Sequence, residues 1–185
     1  MFAMPEQLLI DNCAPTLAGL KTGNIVSVEC PDREAFLSDV REMNLFFAGK
    51  GLRAVPVGYT KTRALLYIYR PSFLQRDLSA AQARAILEGL GYPAGSDACV
   101  SVLTKRIREE KSFPHEIGLF LGYPPSDVDA FMHPGNRKPL CIGFWKVYSD
   151  EAGARKTFGR FEKCQRIYRE QWRKGRSIDK LTVAI

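Results

Sequence analysis

Residues 52–70, LRAVPVGYTKTRALLYIYR, limit most strongly what this chain can fold into. Two runs of β-branched and aromatic residues flank a short polar loop around Thr60–Thr62, the pattern of two neighbouring strands. Pro56 falls inside the first run, and proline cannot donate to a strand ladder, so that strand belongs at a sheet edge or a bulge. Upstream, NIVSVE (24–29) reads as a further strand. Between them a helix is predicted, with Pro31 and Asp32 near its start and Gly49 and Gly51 at its end. Phe36, Leu37, Val40, Met43, Leu45, Phe46 and Phe47 give it the wide apolar face of a core element.

Helical patterning also covers residues 5–20, interrupted by Pro15, and residues 79–89 and 97–111. LCIGFWKVY (140–148) reads as a strand. Residues 150–174 form a helix with Phe158, Phe161, Cys164, Tyr168 and Trp172 at spacings of three and four. The order β–α–β–β, then helices, then β–α, predicts an α+β fold. It suits an antiparallel or mixed sheet of about four strands with helices on one face, compatible with a ferredoxin-like core carrying inserted helices before the fourth strand. A chain of 185 residues is expected to make a single globular domain over 1–185. At that length folding buries roughly 70% of the unfolded surface without metal or disulfide staples.

The five cysteines form no CxxC and no Cys/His cluster at zinc-ligand spacing, so reduced thiols and no metal site are expected. The N-terminal segment has no basic region ahead of its apolar residues, and Glu6 and Asp11 interrupt them. No run approaches the ~20 apolar residues of a membrane span. A cytoplasmic protein without membrane contact is the expectation. The net charge of +7 is uneven, because residues 150–185 hold ten Lys/Arg against five Asp/Glu. An acidic partner should therefore meet the C-terminal segment.

FPHEIGLFLGYPP (113–125) raises the question of chemistry. Pro114 suits a first helical turn, Glu116 favours the positive end of the dipole, Gly122 suits a left-handed C-cap and Pro124 forbids continuation. The same grammar recurs in LEGLGYPAGSD (87–97), with Ser96 or Asp97 as the next cap. Helix punctuation thus explains most of the block, and Ser112 or Phe113 would precede the helix. His115 and Glu116 remain open to an acid/base or ligand-contact role, since a histidine titrates near neutrality. No HExxH arrangement supports a metal there. In NCAPTLAGLKTGN (12–24), Cys13 is either a small buried hydrophobe or, beside a cation such as Lys21, a thiolate nucleophile. Cys13, Thr16 and Lys21 could instead gather round an anion, although Gly19 and Gly23 form no phosphate-loop pattern.

CAPTLAGLK (13–21), FPHEIGLFLGYPPSDVDAF (113–131) and CIGFWKVYSD (141–150), with the spaced Ala, Phe, Phe and Lys-Cys that follow, resemble an uncharacterised family. It is numbered thirty-seven ninety-three among the domains of unknown function, and its small members come mainly from anaerobic Firmicutes. The resemblance spans residues 8–172 and implies a bacterial cytosolic protein, but no activity, cofactor or catalytic residue. The family often has proline after the lysine where this chain has Thr22, so the resemblance implies a different local turn here. Of the residues shared with the blocks, Thr16, Lys21, His115, Glu116, Lys146 and Tyr148 are the polar set one cleft could use.

These observations favour a non-catalytic binding or accessory protein for an anionic small molecule or an acidic protein, with Thr16, Lys21, Lys146 and Tyr148 as ligand-binding candidates. One alternative is a thiol-dependent enzyme with Cys13 as nucleophile, His115 as base and Glu116 orienting it, although adjacent helical side chains diverge by about 100°. The other is non-specific nucleic-acid binding through the C-terminal helix. A helix-turn-helix reading fails because PSDVDAFM carries two aspartates and no basic residue.

Overall fold

The computed structural model describes residues 6–109 and 113–185. The expected helix end at 110–111 and the capping role of Ser112 lie outside the described residues, as do residues 1–5. Strands β1 (Gly23–Glu29), β2 (Arg53–Tyr59) and β3 (Arg63–Tyr69) form an antiparallel sheet in the order β1-β3-β2. The polar loop makes the β2–β3 turn, with Thr60 N–H donating to Arg63 O at 2.7 Å. Pro56 lies on an edge strand and at a register shift between Pro56 and Gly58. Helix α2 (Arg33–Ala48) crosses from β1 to β2, and β3 fills the gap, so these elements make a split β-α-β unit. Asp32 caps α2, its carboxylate accepting from Glu34 N and Ala35 N. The fold is α+β.

Helices cover both faces of the sheet rather than one. Val26, Val28, Ala54, Ala64, Leu66 and Ile68 pack with α1 (Glu6–Leu17) and α2. Tyr67 and Tyr69 face the other way, towards α3 (Pro71–Leu78), α4 (Ala81–Gly89), α5 (Ser96–Glu109), α6 (Ile117–Phe120) and α7 (Pro125–Met132). The reason is visible in ALLYIY, a continuous apolar run in the central strand that leaves neither face polar. The Tyr67 and Tyr69 rings stack at 4.5 Å, and Tyr67 O–H donates to Phe120 O at 2.6 Å, fastening α6 to the sheet.

LCIGFWKVY does not supply a fourth strand. It folds into a separate hairpin of β4 (Cys141–Ile142) and β5 (Lys146–Val147), leaving a three-stranded main sheet. Gly143 turns it, and a Cβ there would stand 2.3 Å from the Phe158 ring, so the hairpin lies directly on α8 (Glu151–Arg173). Phe158 and Phe161 of α8 meet Phe144 of the hairpin, while Tyr168 and Trp172 join the α1–α2 core. Pro15 does not interrupt α1, which runs on to Leu17. Proline has no N–H for the Asp11 carbonyl, and Arg169 of α8 fills that place, donating Nη2 to Asp11 O at 3.2 Å and Nε to Asp11 Oδ1 at 2.7 Å.

Arg70, at the junction of β3 and α3, is fully buried. Its guanidinium donates to Thr16 O (2.8 Å), Leu17 O (2.7 Å), Lys50 O (3.0 Å) and Val183 O (2.8 Å). It thereby joins the end of α1, the α2–β2 turn and the segment after helix α9 (Ile178–Leu181). Arg70→Ala strips these carbonyls of their donor and is expected to lower stability by about 3–5 kcal/mol in urea unfolding. Arg70→Lys should recover less than half, because an ammonium lacks the planar fork. A Lys variant as stable as the wild type would show that charge alone suffices.

Candidate functional site

The 113–125 block folds as punctuation, with its two polar residues pointing apart. Pro114 and Glu116 turn inward and His115 outward. Glu116 Oε1 accepts from Tyr92 O–H at 2.8 Å and lies 3.2 Å from Arg106 Nε. The His115 ring meets Phe131 edge-on at 5.0 Å. Helix α6 is shorter than expected, only Ile117–Phe120. Gly122 then adopts φ +79°, and Tyr123 N–H closes on Gly118 O at 2.9 Å. Gly91 repeats the device with φ +79° and Tyr92 N–H on Leu87 O at 2.9 Å. The next cap falls one residue earlier than expected, since Gly95 O already accepts the first bond of α5, from Cys99 N–H at 3.0 Å.

Asp127, buried in the first turn of α7, holds the hairpin in place. Its Oδ1 accepts from Tyr148 N–H (2.8 Å), Ser149 N–H (2.9 Å) and the Ser149 hydroxyl (2.8 Å), and its Oδ2 accepts from Trp145 Nε1–H (2.8 Å). Trp145 thus lies against Tyr123, ring centroids 5.0 Å apart and 29° from parallel, with Phe158 edge-on at 4.6 Å.

The Tyr123–Trp145 pair lines two clefts. The first, of about 330 Å³, is walled by Pro114, Ile117, Gly118, Val128 and Phe131, with His115 and Lys146 also lining it. Lys146 Nζ stands 5.1 Å from the Phe131 centroid, so both basic side chains border one aromatic ring. The second, of about 290 Å³, is lined by Lys21, Thr22, Phe73, Arg76, Asp77 and Phe161 among others.

The candidate residues do not converge on one site. Cys13 is fully buried in the α1–α2 core and lines neither cleft, and desolvation pushes its thiol up to about 12. Thr16 is buried and donates its hydroxyl to Asn24 Oδ1 at 2.8 Å. Tyr148 contributes its backbone N–H to Asp127 and lines neither cleft. Lys146 reaches the first cleft with His115, Lys21 the second, and Glu116 faces neither. Sequence reasoning missed Asp127 as the organiser of the hairpin and Phe131 as the ring that His115 and Lys146 both border. An aspartate in the first turn of the helix was the available signal for Asp127. Among the described residues no group of His, Cys, Asp and Glu could hold a metal ion, and no helix is long and apolar enough to cross a membrane.

The model of a family described as Protein of unknown function (DUF3793) matches residues 9–182. The chain belongs to this family. The match covers both clefts and every candidate residue named above. No curated protein and no solved structure matches the chain.

Two outcomes follow for this DUF3793 member. Cys13 should resist iodoacetamide in the native state up to about pH 9 and react only on unfolding, whereas partly exposed Cys141 should react first. Rapid native alkylation of Cys13 near neutrality would return it to consideration as a nucleophile. Burial also lowers Lys21 to about 7, opposed by Cys13. Between that value and the ordinary lysine value the unfolded chain binds the extra proton, so stability should rise with pH by at most about 1.4 kcal/mol per unit. Urea midpoints between pH 7 and 9 should show this slope in the wild type and lose it in Lys21→Met. An unchanged slope in the variant would mean that Lys21 stays charged.

Proposed function

We propose that this protein is a bacterial cytosolic binding or accessory protein for an anionic small molecule with a flat apolar body, seated in the first cleft. One observation carries the reading: the cleft is walled by aromatic and aliphatic groups, while His115 and Lys146 both border the Phe131 ring. Ligand sites typically combine such an apolar lining with a few placed polar groups. A flat ring gains contact with Tyr123, Phe131 and Trp145. Its carboxylate or phosphate would then meet Lys146 at the exposed edge. The thiol-enzyme reading draws less support, because Cys13 lies in the core and Glu116 turns away from His115.

An acidic protein partner is the second reading, favoured by the exposed Lys156, Arg160, Lys163 and Arg166 on α8. They lie opposite the buried Ala154, Phe158, Phe161 and Cys164. Non-specific nucleic-acid binding would use the same stripe, and electrostatic attraction is the whole of its support.

A thermal-shift panel of flavin mononucleotide, adenosine monophosphate and indole-3-acetate tests the proposal, with Trp145 fluorescence read in a Trp172→Phe background. At least one anion should raise Tm and change the fluorescence. Lys146→Glu should weaken that anion about tenfold or more while leaving the unliganded Tm nearly unchanged, since exposed charges contribute about 0–1 kcal/mol. Affinity lost on Arg160→Glu with Lys163→Glu, but not on Lys146→Glu, would move binding to α8. No response to any of the three anions, or equal affinity in Lys146→Glu, would overturn the cleft reading.

A further inference from the structure

The second cleft contains an amine in an unusual setting. Lys21 lies in the connection between α1 and β1 and is only 4% exposed. Its Nζ meets neutral groups: Gly23 O at 2.5 Å, Asn24 Oδ1 at 3.2 Å and the Tyr123 ring, whose centroid is 5.2 Å away. Asn24 Oδ1 also accepts the Thr16 hydroxyl, which holds the amide with its oxygen towards the amine. The carboxylate of the same cleft is committed elsewhere, Asp77 Oδ2 to the Thr22 hydroxyl and Oδ1 to Arg76. Among the described residues, therefore, no carboxylate pairs with Lys21.

A buried ammonium without a counter-charge is costly, and losing the proton removes that cost. The neutral amine has two N–H bonds and one lone pair. Gly23 O and Asn24 Oδ1 match the two donors, which leaves the lone pair free for a bond. The neighbouring cleft is lined by Leu20, Phe73, Leu119 and Trp145, surfaces suited to an apolar or aromatic body.

We propose that Lys21 captures a carbonyl compound, an aromatic or other apolar aldehyde held in this cleft, as a reversible imine. The amine lone pair adds to the carbonyl carbon and a proton passes from nitrogen to oxygen, giving a carbinolamine. Loss of water then breaks the C–O bond and forms C=N, so aldehyde plus lysine gives imine plus one water. The reaction needs no oxidant or reductant. The proposal does not depend on an anion occupying the first cleft.

Burial supports it, since it lowers Lys21 to about 7. Exposed lysines with an ordinary value near 10.4 are neutral in only roughly one molecule in 2,500 at pH 7. Of the titratable groups around Lys21, Cys13 opposes this lowering in part. Cys13 of α1 and Tyr123 are both pushed up to about 12 and stay neutral, while Arg76 and Asp77 of α3 pair with each other.

The wild-type protein, incubated at pH 7 with benzaldehyde and sodium cyanoborohydride, provides the test. Hydride from the borohydride reduces any imine to a stable benzylamine, which peptide mass mapping locates. Lys21 should be modified about tenfold or more faster than exposed Lys156 and Lys163, and urea should abolish the preference. Its rate should level off above about pH 7, while those of the surface lysines continue to rise towards pH 10. Lys21→Arg keeps N–H donors but cannot form the imine, so the fast site should vanish. A native Lys21 that stays unmodified, or reacts no faster than Lys156, overturns the proposal, as does a fast site persisting in Lys21→Arg. Should that variant fail to fold, the native and urea rates of the wild type still decide.

Discussion

Arg70 is the interaction on which the rest of the arrangement depends. Its guanidinium holds Thr16 O and Leu17 O at the C-terminal end of α1, where the helix dipole favours a cation. Its backbone N–H donates to Thr22 O at 2.9 Å, just before β1. The intervening loop, which carries Lys21, is therefore gripped on both sides by one residue. Because the same side chain also donates to Lys50 O and Val183 O, the loop is tied to distant parts of the chain. The position of the amine is thus a consequence of tertiary assembly.

The two buried cations reach different solutions to one desolvation problem. Burial draws the Arg70 value down, but a delocalised guanidinium with four carbonyl acceptors remains charged. Lys21 concentrates its charge on one nitrogen and has Gly23 O, Asn24 Oδ1 and a tyrosine face around it. Losing a proton is the cheaper course there. The first cation organises the fold, and the second becomes an available lone pair beside a cleft. Buried carboxylates divide in the same way by their donors, since Asp127 collects a tryptophan, a hydroxyl and two backbone N–H groups and so fixes a hairpin, whereas Glu116 joins α6 to Tyr92 and Arg106.

Features governed by neighbours in sequence were legible. The β2–β3 pair, the edge position of Pro56, the Asp32 cap of α2 and the left-handed Gly122 all follow from rules acting within a few residues. Features governed by remote partners were not. Pro15 reads as a break until Arg169, 158 positions from Asp11, supplies the Asp11 carbonyl with the missing donor, and LCIGFWKVY reads as one strand until Phe158 shows why Gly143 must turn. The site was half legible for the same reason. Residue types marked Lys21, His115 and Lys146 as candidates, but only the fold distributes them between two clefts and sends Cys13 into the core.

The lopsided charge shows how a true statement about composition can conceal two physical roles. Along α8 and at its C-cap, Arg155, Arg169 and Lys174 pair with Glu151, Asp11 and Glu170. The bond to Asp11 replaces a hydrogen bond that Pro15 cannot make, so Arg169 belongs to the packing of α1 on α8 rather than to a docking surface. Lys156, Arg160, Lys163 and Arg166 remain as an exposed stripe. Underneath it, the same helix holds Phe158 and Phe161 against the hairpin whose Trp145 walls both clefts. The basic helix therefore shapes both clefts through its apolar face, by setting Trp145, while its charged face lies away from either cleft.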